Sequence, residues 1–161
     1  MKKNKTEIAR AKLKDTEEIR ALFKHIDGQH ARLLPKHFKN LKGGRSDREI
    51  SSLINEKSAL CLLGKIDGKI VGIITAKLKH TPAIEIIRRT KFVSIENLIV
   101  DPEYRKKGLG KSLLLEVEKW AKKKKAIRVS LNVYAKNTEA VKFYGQTKYE
   151  PVSIRFEKTI K

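Results

Sequence analysis

An apolar run over residues 92–100 passes straight into Asp101-Pro102-Glu103-Tyr104-Arg105-Lys106-Lys107-Gly108-Leu109-Gly110. A stretch follows in which Leu113, Leu114, Val117, Trp120 and Ala121 recur on one helical face. No other feature constrains the fold as much. A strand that ends where an amphipathic helix begins calls for a sheet with that helix packed on it, since each has an apolar face for the other to cover. The helical stripe reads as core packing, with Trp120 as an anchor.

The remaining patterns extend this unit. Residues 59–63 and 69–78 flank Asp67-Gly68, a hairpin signal, and residues 84–87 suggest one more short strand. Residues 6–12 alternate with Ile8 inward. Asp15-Thr16-Glu17-Glu18 predicts a capping box for a helix carrying Ile19, Leu22, Phe23 and Ile26. Ser46-Asp47-Arg48-Glu49 predicts a second, ahead of Ile50, Leu53 and Ile54. The segment between them is mixed, punctuated by Pro35 and Gly43-Gly44. Farther on, Ile127, Val129, Leu131 and Val133 alternate as a strand. Asn137 then opens a short helical pattern with Ala140, Val141, Phe143 and Tyr144, and residues 149–156 supply a closing strand. This order predicts an α/β (α+β) fold, a mixed and mostly antiparallel central sheet flanked by helices. Residues 1–161 form one domain, long enough to bury a continuous core.

Composition narrows the setting. No window of 18 residues is apolar enough for a membrane span, and Met1-Lys2-Lys3-Asn4-Lys5 has no apolar run behind it, so no secretion leader and a cytoplasmic location are expected. The single cysteine, Cys61, cannot form an internal disulfide, and its neighbours Leu60 and Leu62 mark it as a buried thiol. His25, His30, His37 and His80 form no short ligand cassette, so no metal is expected. The formal charge of +20 favours encounters with polyanions. It does not select among nucleic acid, ribosomes, acidic proteins and a phosphorylated cofactor, and the run Lys122 to Lys125 also suits the solvated end of a helix.

The glycine turn carries the chemistry. Gly108 and Gly110 permit backbone approaches that a side chain would obstruct, the N–H groups at the following helix start can receive phosphate oxygens, and Arg105, Lys106 and Lys107 add positive charge. The spacing is neither GxxxxGK[ST] nor GxGxxG. It resembles the cofactor signature Arg/Gln-x-x-Gly-x-Gly/Ala of the GCN5-related N-acetyltransferase (GNAT) family, matched at every specified position by Arg105-Lys106-Lys107-Gly108-Leu109-Gly110. Leu98-Ile99-Val100-Asp101-Pro102-Glu103-Tyr104 resembles that family's strand leading into the turn, and Asn137-x-x-Ala140-x-x-Phe143-Tyr144 its downstream block. A familiar continuation, Tyr-x-x-x-Gly-Phe, is altered here, with Lys148 for glycine and Tyr149 for phenylalanine.

The resemblance implies an acetyl-coenzyme A site between splayed strands. The backbone of Arg105, Lys106, Lys107, Gly108, Leu109 and Gly110 would hold the pyrophosphate, the strand edge at Leu98, Ile99 and Val100 would pair with the pantetheine arm, Asn137 would contact that arm, and Tyr144 would approach the sulfur. Transfer of an acyl group to an amine also needs a base, since a free alkyl amine has a pKa around 10.4 and is neutral in only about one molecule in 10³ at pH 7. Glu96, beside the acyl site, is the candidate, with a pKa raised by partial burial; an exposed structural carboxylate is the other reading. Tyr144 would donate to the departing thiolate, and a backbone N–H near Val100 would polarise the carbonyl. His25, Asp27, His30 and Phe38 are the candidates for lining an acceptor pocket. The expected reaction is direct acetyl transfer from acetyl-CoA to a primary amine, on a small molecule or a protein, in a ternary complex. Two alternatives stay open, a basic RNA- or ribosome-associated module and an acyltransferase using a longer acyl-CoA. The oligomeric state, homodimer included, stays open as well.

Overall fold

The computed structural model describes residues 5–39 and 42–160; residues 1–4, on which the leader reading mainly falls, lie outside them. Asp67 and Gly68 both take left-handed backbone (φ 51° and 82°), the geometry that a two-residue hairpin turn requires. They join two strands of a five-stranded sheet built in sequence order: β1 (Thr6–Arg10), β2 (Ala59–Ile66), β3 (Lys69–His80), β4 (Lys91–Val100) and β5 (Val129–Leu131). The first four are antiparallel neighbours, and β5 lies parallel to β4.

Helices cover both faces. On one side lie α1 (Thr16–Leu33) and α2 (Asp47–Asn55), whose Ile19, Leu22, Phe23 and Ile50 pack against Cys61, Leu63, Ile73 and Ile99. On the other lies α3 (Leu109–Lys123), whose Leu109, Leu113, Leu114, Val117 and Ala121 meet Leu60, Leu62, Ile74, Ala76, Val93 and Ile95. The short α4 (Thr138–Gln146) adds Phe143 and Tyr144 to that second layer.

Two register shifts shape the sheet. Gly64 faces Gly72 while Lys65 faces Ile70, which leaves Val71 extra on β3. Thr75 faces Asn97 while Ala76 faces Ile95, so Glu96 is the extra residue of a bulge on β4. Before the bulge, Val93 and Ile95 point to the α3 layer; after it, Ile99 points to the α1 layer.

Ser46 and Glu49 form the expected reciprocal cap of α2: Glu49 N–H donates to Ser46 Oγ (3.3 Å), and Ser46 N–H to Glu49 Oε2 (2.7 Å). The box expected at Asp15 does not form. Asp15 is buried and accepts instead from the Lys12 N–H (2.8 Å), closing a short 3₁₀ turn ahead of α1. Residues 84–87 are no strand, because Thr81 N–H bonds the Thr90 carbonyl (3.0 Å) and leaves the stretch between them as the exposed loop of the β3–β4 hairpin. The strand expected over 127–133 contracts to β5, and residues 149–156 pair with no strand among the described residues. No helix among the described residues is long and apolar enough to cross a membrane.

Candidate active site

Beyond β4 the chain makes a 3₁₀ turn at Pro102–Tyr104, capped by Asp101, whose carboxylate accepts the Glu103 N–H (3.0 Å). Asp101 N–H in turn donates to the carbonyl of the extra residue Val71 (2.8 Å). Lys106 (φ 60°) and Gly108 (φ 84°) are left-handed, so the backbone reverses twice before α3 begins. Leu109 is buried and its side chain lies over two glycines of the sheet: a Cβ on Gly64 would stand 2.6 Å from Leu109 Cδ1, and one on Gly72 3.1 Å from Cδ2. Gly110 passes so close to α4 that a Cβ there would meet Phe143 Cζ at 3.2 Å. The first bonded N–H of α3 is that of Ser112, which donates to the Gly108 carbonyl (3.0 Å). From Lys106 to Lys111 the N–H groups donate to no group among the described residues. These free donors, the helix dipole and the exposed Lys106 and Lys107 suit a diphosphate.

Arg105 has two partners of its own beside the turn. Its Nε donates to the Val100 carbonyl (3.1 Å) and its Nη1 meets Glu139 Oε2 (3.2 Å), so it braces the turn against β4 and α4.

The next feature is a gap in the sheet. Pairing between β4 and β5 ends at Ile95 and Leu131, while β4 continues to Val100. Among the described residues, its edge away from β3 is open over 96–100, which includes Leu98, Ile99 and Val100. A donor arm lying there would find unpaired backbone groups to bond, as a strand added at a sheet edge does. Glu96 stands at the head of the gap, in the bulge. Its Oε1 accepts from Lys79 Nζ and from Ser94 Oγ, both at 2.7 Å. Burial pushes its carboxyl up, but those two bonds and the charges of Lys79 and Lys77 outweigh burial and hold it below the usual carboxylate range. The expected upward shift is reversed, because the Lys79 side chain on the neighbouring strand β3 reaches the carboxylate.

On the far side of the gap, Asn137 caps α4, its Oδ1 accepting the Ala140 N–H (3.2 Å). Tyr144 stacks edge-on against Phe143 and Tyr149, with centroids at 5.2 and 5.8 Å, and its hydroxyl has no partner among the described residues. Burial pushes its pKa up to about 12, which keeps it protonated. The departure at Lys148 is accommodated: Lys148 takes the left-handed position (φ 67°), Tyr149 N–H bonds the Tyr144 carbonyl (3.0 Å), and Lys148 N–H bonds that of Gly145 (3.1 Å). These are the two bonds of a Schellman cap.

The acceptor candidates divide. His30 and Phe38 come together (5.1 Å between centroids), and Tyr134, just beyond β5, packs on both at 6.2 and 5.5 Å. His30 has its pKa lowered, by burial first and by Arg45, against the pull of Asp27. Asp27 is committed elsewhere: Arg45 grips both its oxygens at 2.9 Å while lying 3.8 Å over the Phe23 ring. His25 turns away from this group and lines a shallow outer groove of α1 with Ala21, Lys24, Gly28 and Arg32. Tyr134 and Lys79 are the residues that sequence reasoning missed. Tyr134 had a signal, an aromatic just past a strand pattern; Lys79 had none without the register.

No group of three or more His, Cys, Asp or Glu side chains that could hold a metal occurs among the described residues. Solved structures similar to this one include a mutant of the BH1408 protein from Bacillus halodurans. It shares 20% identity over 96% of this chain and 99% of that one, with a TM-score of 0.92. Aminoglycoside N-acetyltransferase AAC(6')-Iy in complex with CoA superposes with a TM-score of 0.73 at 18% identity, over 98% of this chain and 97% of that one. At such identities the likeness is one of fold. Among curated proteins, the uncharacterized N-acetyltransferase YobR of Bacillus subtilis (strain 168) is 36% identical over 59 residues, 37% of this chain but only 24% of that protein's length. The model of the Acetyltransferase (GNAT) family matches residues 22–148, which is most of the sequence, and this chain belongs to that family.

Proposed function

We propose that this chain, acting as one domain, transfers an acetyl group from acetyl-CoA to a primary amine by direct attack in a ternary complex. The observation that carries the reading is the meeting of the unpaired N–H groups between Lys106 and Lys111 with the open edge of β4 over 96–100. One end of that continuous surface suits a diphosphate, and the rest suits an extended amide-containing arm. Bound there, acetyl-CoA supplies an acyl group activated as a thioester.

The protein's own groups have separable tasks. The N–H groups of the turn bind and orient, with Arg105 holding that turn rigid. Glu96, ionised at neutral pH, accepts the amine's proton directly or through water, and Lys79 keeps its carboxylate aimed at the cost of basicity. Tyr144, with its pKa near 12, acts as a hydrogen-bond donor to developing negative charge on sulfur. Full release of its proton to a thiolate of pKa about 8.5 would be uphill by about 5 kcal/mol. The His30–Phe38–Tyr134 cluster forms the apolar wall of the acceptor side.

The test is to incubate purified protein with acetyl-CoA and a broad panel of amines, following thiol release and the acetylamide by mass spectrometry. Release of CoA matched by acetylamide supports the reading. Absence of both products, together with no CoA binding by calorimetry, refutes it.

A further inference from the structure

Ser94 lies between Val93 and Ile95, both of which point into the α3 layer, so its side chain faces the α1 side of the sheet. Glu96 Oε1 accepts from Ser94 Oγ (2.7 Å), which puts the carboxylate on that same side. β5 parts from β4 at the Leu131–Ile95 pair, one residue before Glu96. Tyr134 follows Leu131 by three residues, and so short a chain reaches at most about 11 Å. Tyr134 therefore stands near the head of the gap. Its contacts with His30 of α1 and with Phe38 set it on the α1 side as well. The proposed base and an aromatic cluster thus share one mouth of the gap, on the side away from α3.

The carboxylates around this mouth are already committed to cations. Asp27 gives both oxygens to Arg45, at 2.9 Å each. Glu157 is shared by His37 (3.2 Å) and Arg155 (3.0 Å), and Glu96 is held by Lys79 (2.7 Å). A second ammonium group on the acceptor would meet Lys79 and find none of these three carboxylates free.

What the mouth offers instead is ring surface. His30 and Phe38 lie 5.1 Å apart between centroids, and Phe38 and Tyr134 lie 5.5 Å apart and edge-on. Burial lowers the His30 pKa, against the pull of Asp27, and leaves that ring uncharged at neutral pH. Tyr134 is 46% exposed, so the cluster keeps an open face on which a further ring can stack offset or edge-on.

We propose that the acceptor is an arylalkylamine, one primary amine on a short chain that ends in an aromatic ring. The ring packs on Tyr134, Phe38 and His30, and the nitrogen lies at Glu96. This assignment rests on the acetyl transfer proposed above and names its substrate class.

The test is the rank order of kcat/KM for 2-phenylethylamine, butylamine, spermidine and an aminoglycoside, from CoA release matched to acetylamide by mass spectrometry. 2-Phenylethylamine should exceed butylamine by about ten-fold, the scale of one or two aromatic contacts. Spermidine and the aminoglycoside should fall below both. Tyr134→Ala should collapse the ratio of 2-phenylethylamine to butylamine toward one, chiefly through KM, and Tyr134→Phe should keep it. Saturation-transfer NMR on the wild type loaded with CoA should show the phenyl protons in contact with the protein, a readout that holds even if the alanine variant fails to fold. If spermidine or the aminoglycoside outpaces 2-phenylethylamine, the assignment is overturned while acetyl transfer stands. The same follows from a ratio that Tyr134→Ala leaves unmoved, or from no saturation transfer to the phenyl protons. A protein that neither binds CoA nor forms any acetylamide refutes the reaction itself, and the acceptor assignment falls with it.

Discussion

Replacing Gly64 by alanine would put a methyl carbon 2.6 Å from Leu109 Cδ1, 3.0 Å from Cδ2 and 3.1 Å from Cγ. Leu109 is 2% exposed and enclosed by the sheet and by α3, so its side chain has nowhere to retreat. Overpacking of this kind costs roughly 1–3 kcal/mol, and for a chain of this length the melting temperature falls by roughly 2–4 °C per kcal/mol. Strain is relieved by lifting the start of α3, so CoA binding at the free N–H groups should weaken in the same variant. A double-mutant cycle isolates the cause. Leu109→Ala alone costs about 2–5 kcal/mol through the cavity it leaves, but it removes all three atoms that Gly64→Ala would strike. In that background the added methyl should be harmless or stabilising, giving a coupling of about 1 kcal/mol or more in urea unfolding. If the two costs add to within about 0.5 kcal/mol, contact between Leu109 and β2 is not what demands a glycine at position 64.

Four further outcomes are expected. Glu96 has a folded pKa below its ordinary 4.5, so its pairing stabilises the fold above that value and is lost as pH falls through the lower one. Lys79→Met should raise the Glu96 pKa and move the acid limb of the kcat/KM profile to higher pH, and an unmoved limb removes Glu96 as the titrating base. Tyr144→Phe should lower kcat by roughly 10² without lowering the melting temperature, because the hydroxyl bonds no group among the described residues; activity within a few-fold of wild type takes Tyr144 out of the reaction. Lys148→Gly should raise stability by about 1 kcal/mol, measured by chemical denaturation, since a left-handed backbone suits glycine better than lysine. Cys61, whose pKa burial pushes up to about 11, should react with an aromatic disulfide only on unfolding; rapid labelling of the native protein would contradict its burial.

What the sequence made legible was local. The Asp67-Gly68 turn, the Ser46–Glu49 cap and the stripe from Leu113 to Ala121 depend on neighbours within a few positions, and each appears where its pattern lies. The glycine turn was legible for the same reason, because its free N–H groups follow from a helix beginning at Leu109. What stayed hidden depended on register or on rotation about an axis. The Lys79–Glu96 pair exists only because β3 and β4 align in one way, and that alignment reversed the expected direction of the Glu96 pKa. His25 and His30 looked like partners in a short stretch, but a helix separates their directions and brings His30 to Phe38. Asp27 seemed free until Arg45, distant in sequence, folded back onto it. Residues 84–87 had the composition of a strand but pair with no strand among the described residues.

The extra residue in β4 has a consequence for how this chain tolerates change. Along a strand, alternate side chains belong to opposite layers, and Glu96 shifts that phase by one. Removing it, with the β3 pairing kept on either side, would leave the two halves of β4 out of step. Either Ile99 would leave the α1 layer, or Val93 and Ile95 would leave the α3 layer. A one-residue deletion there acts as a frameshift in space. Substitutions at Glu96 touch the chemistry, whereas loss of the position exchanges one helical layer of the core for the other.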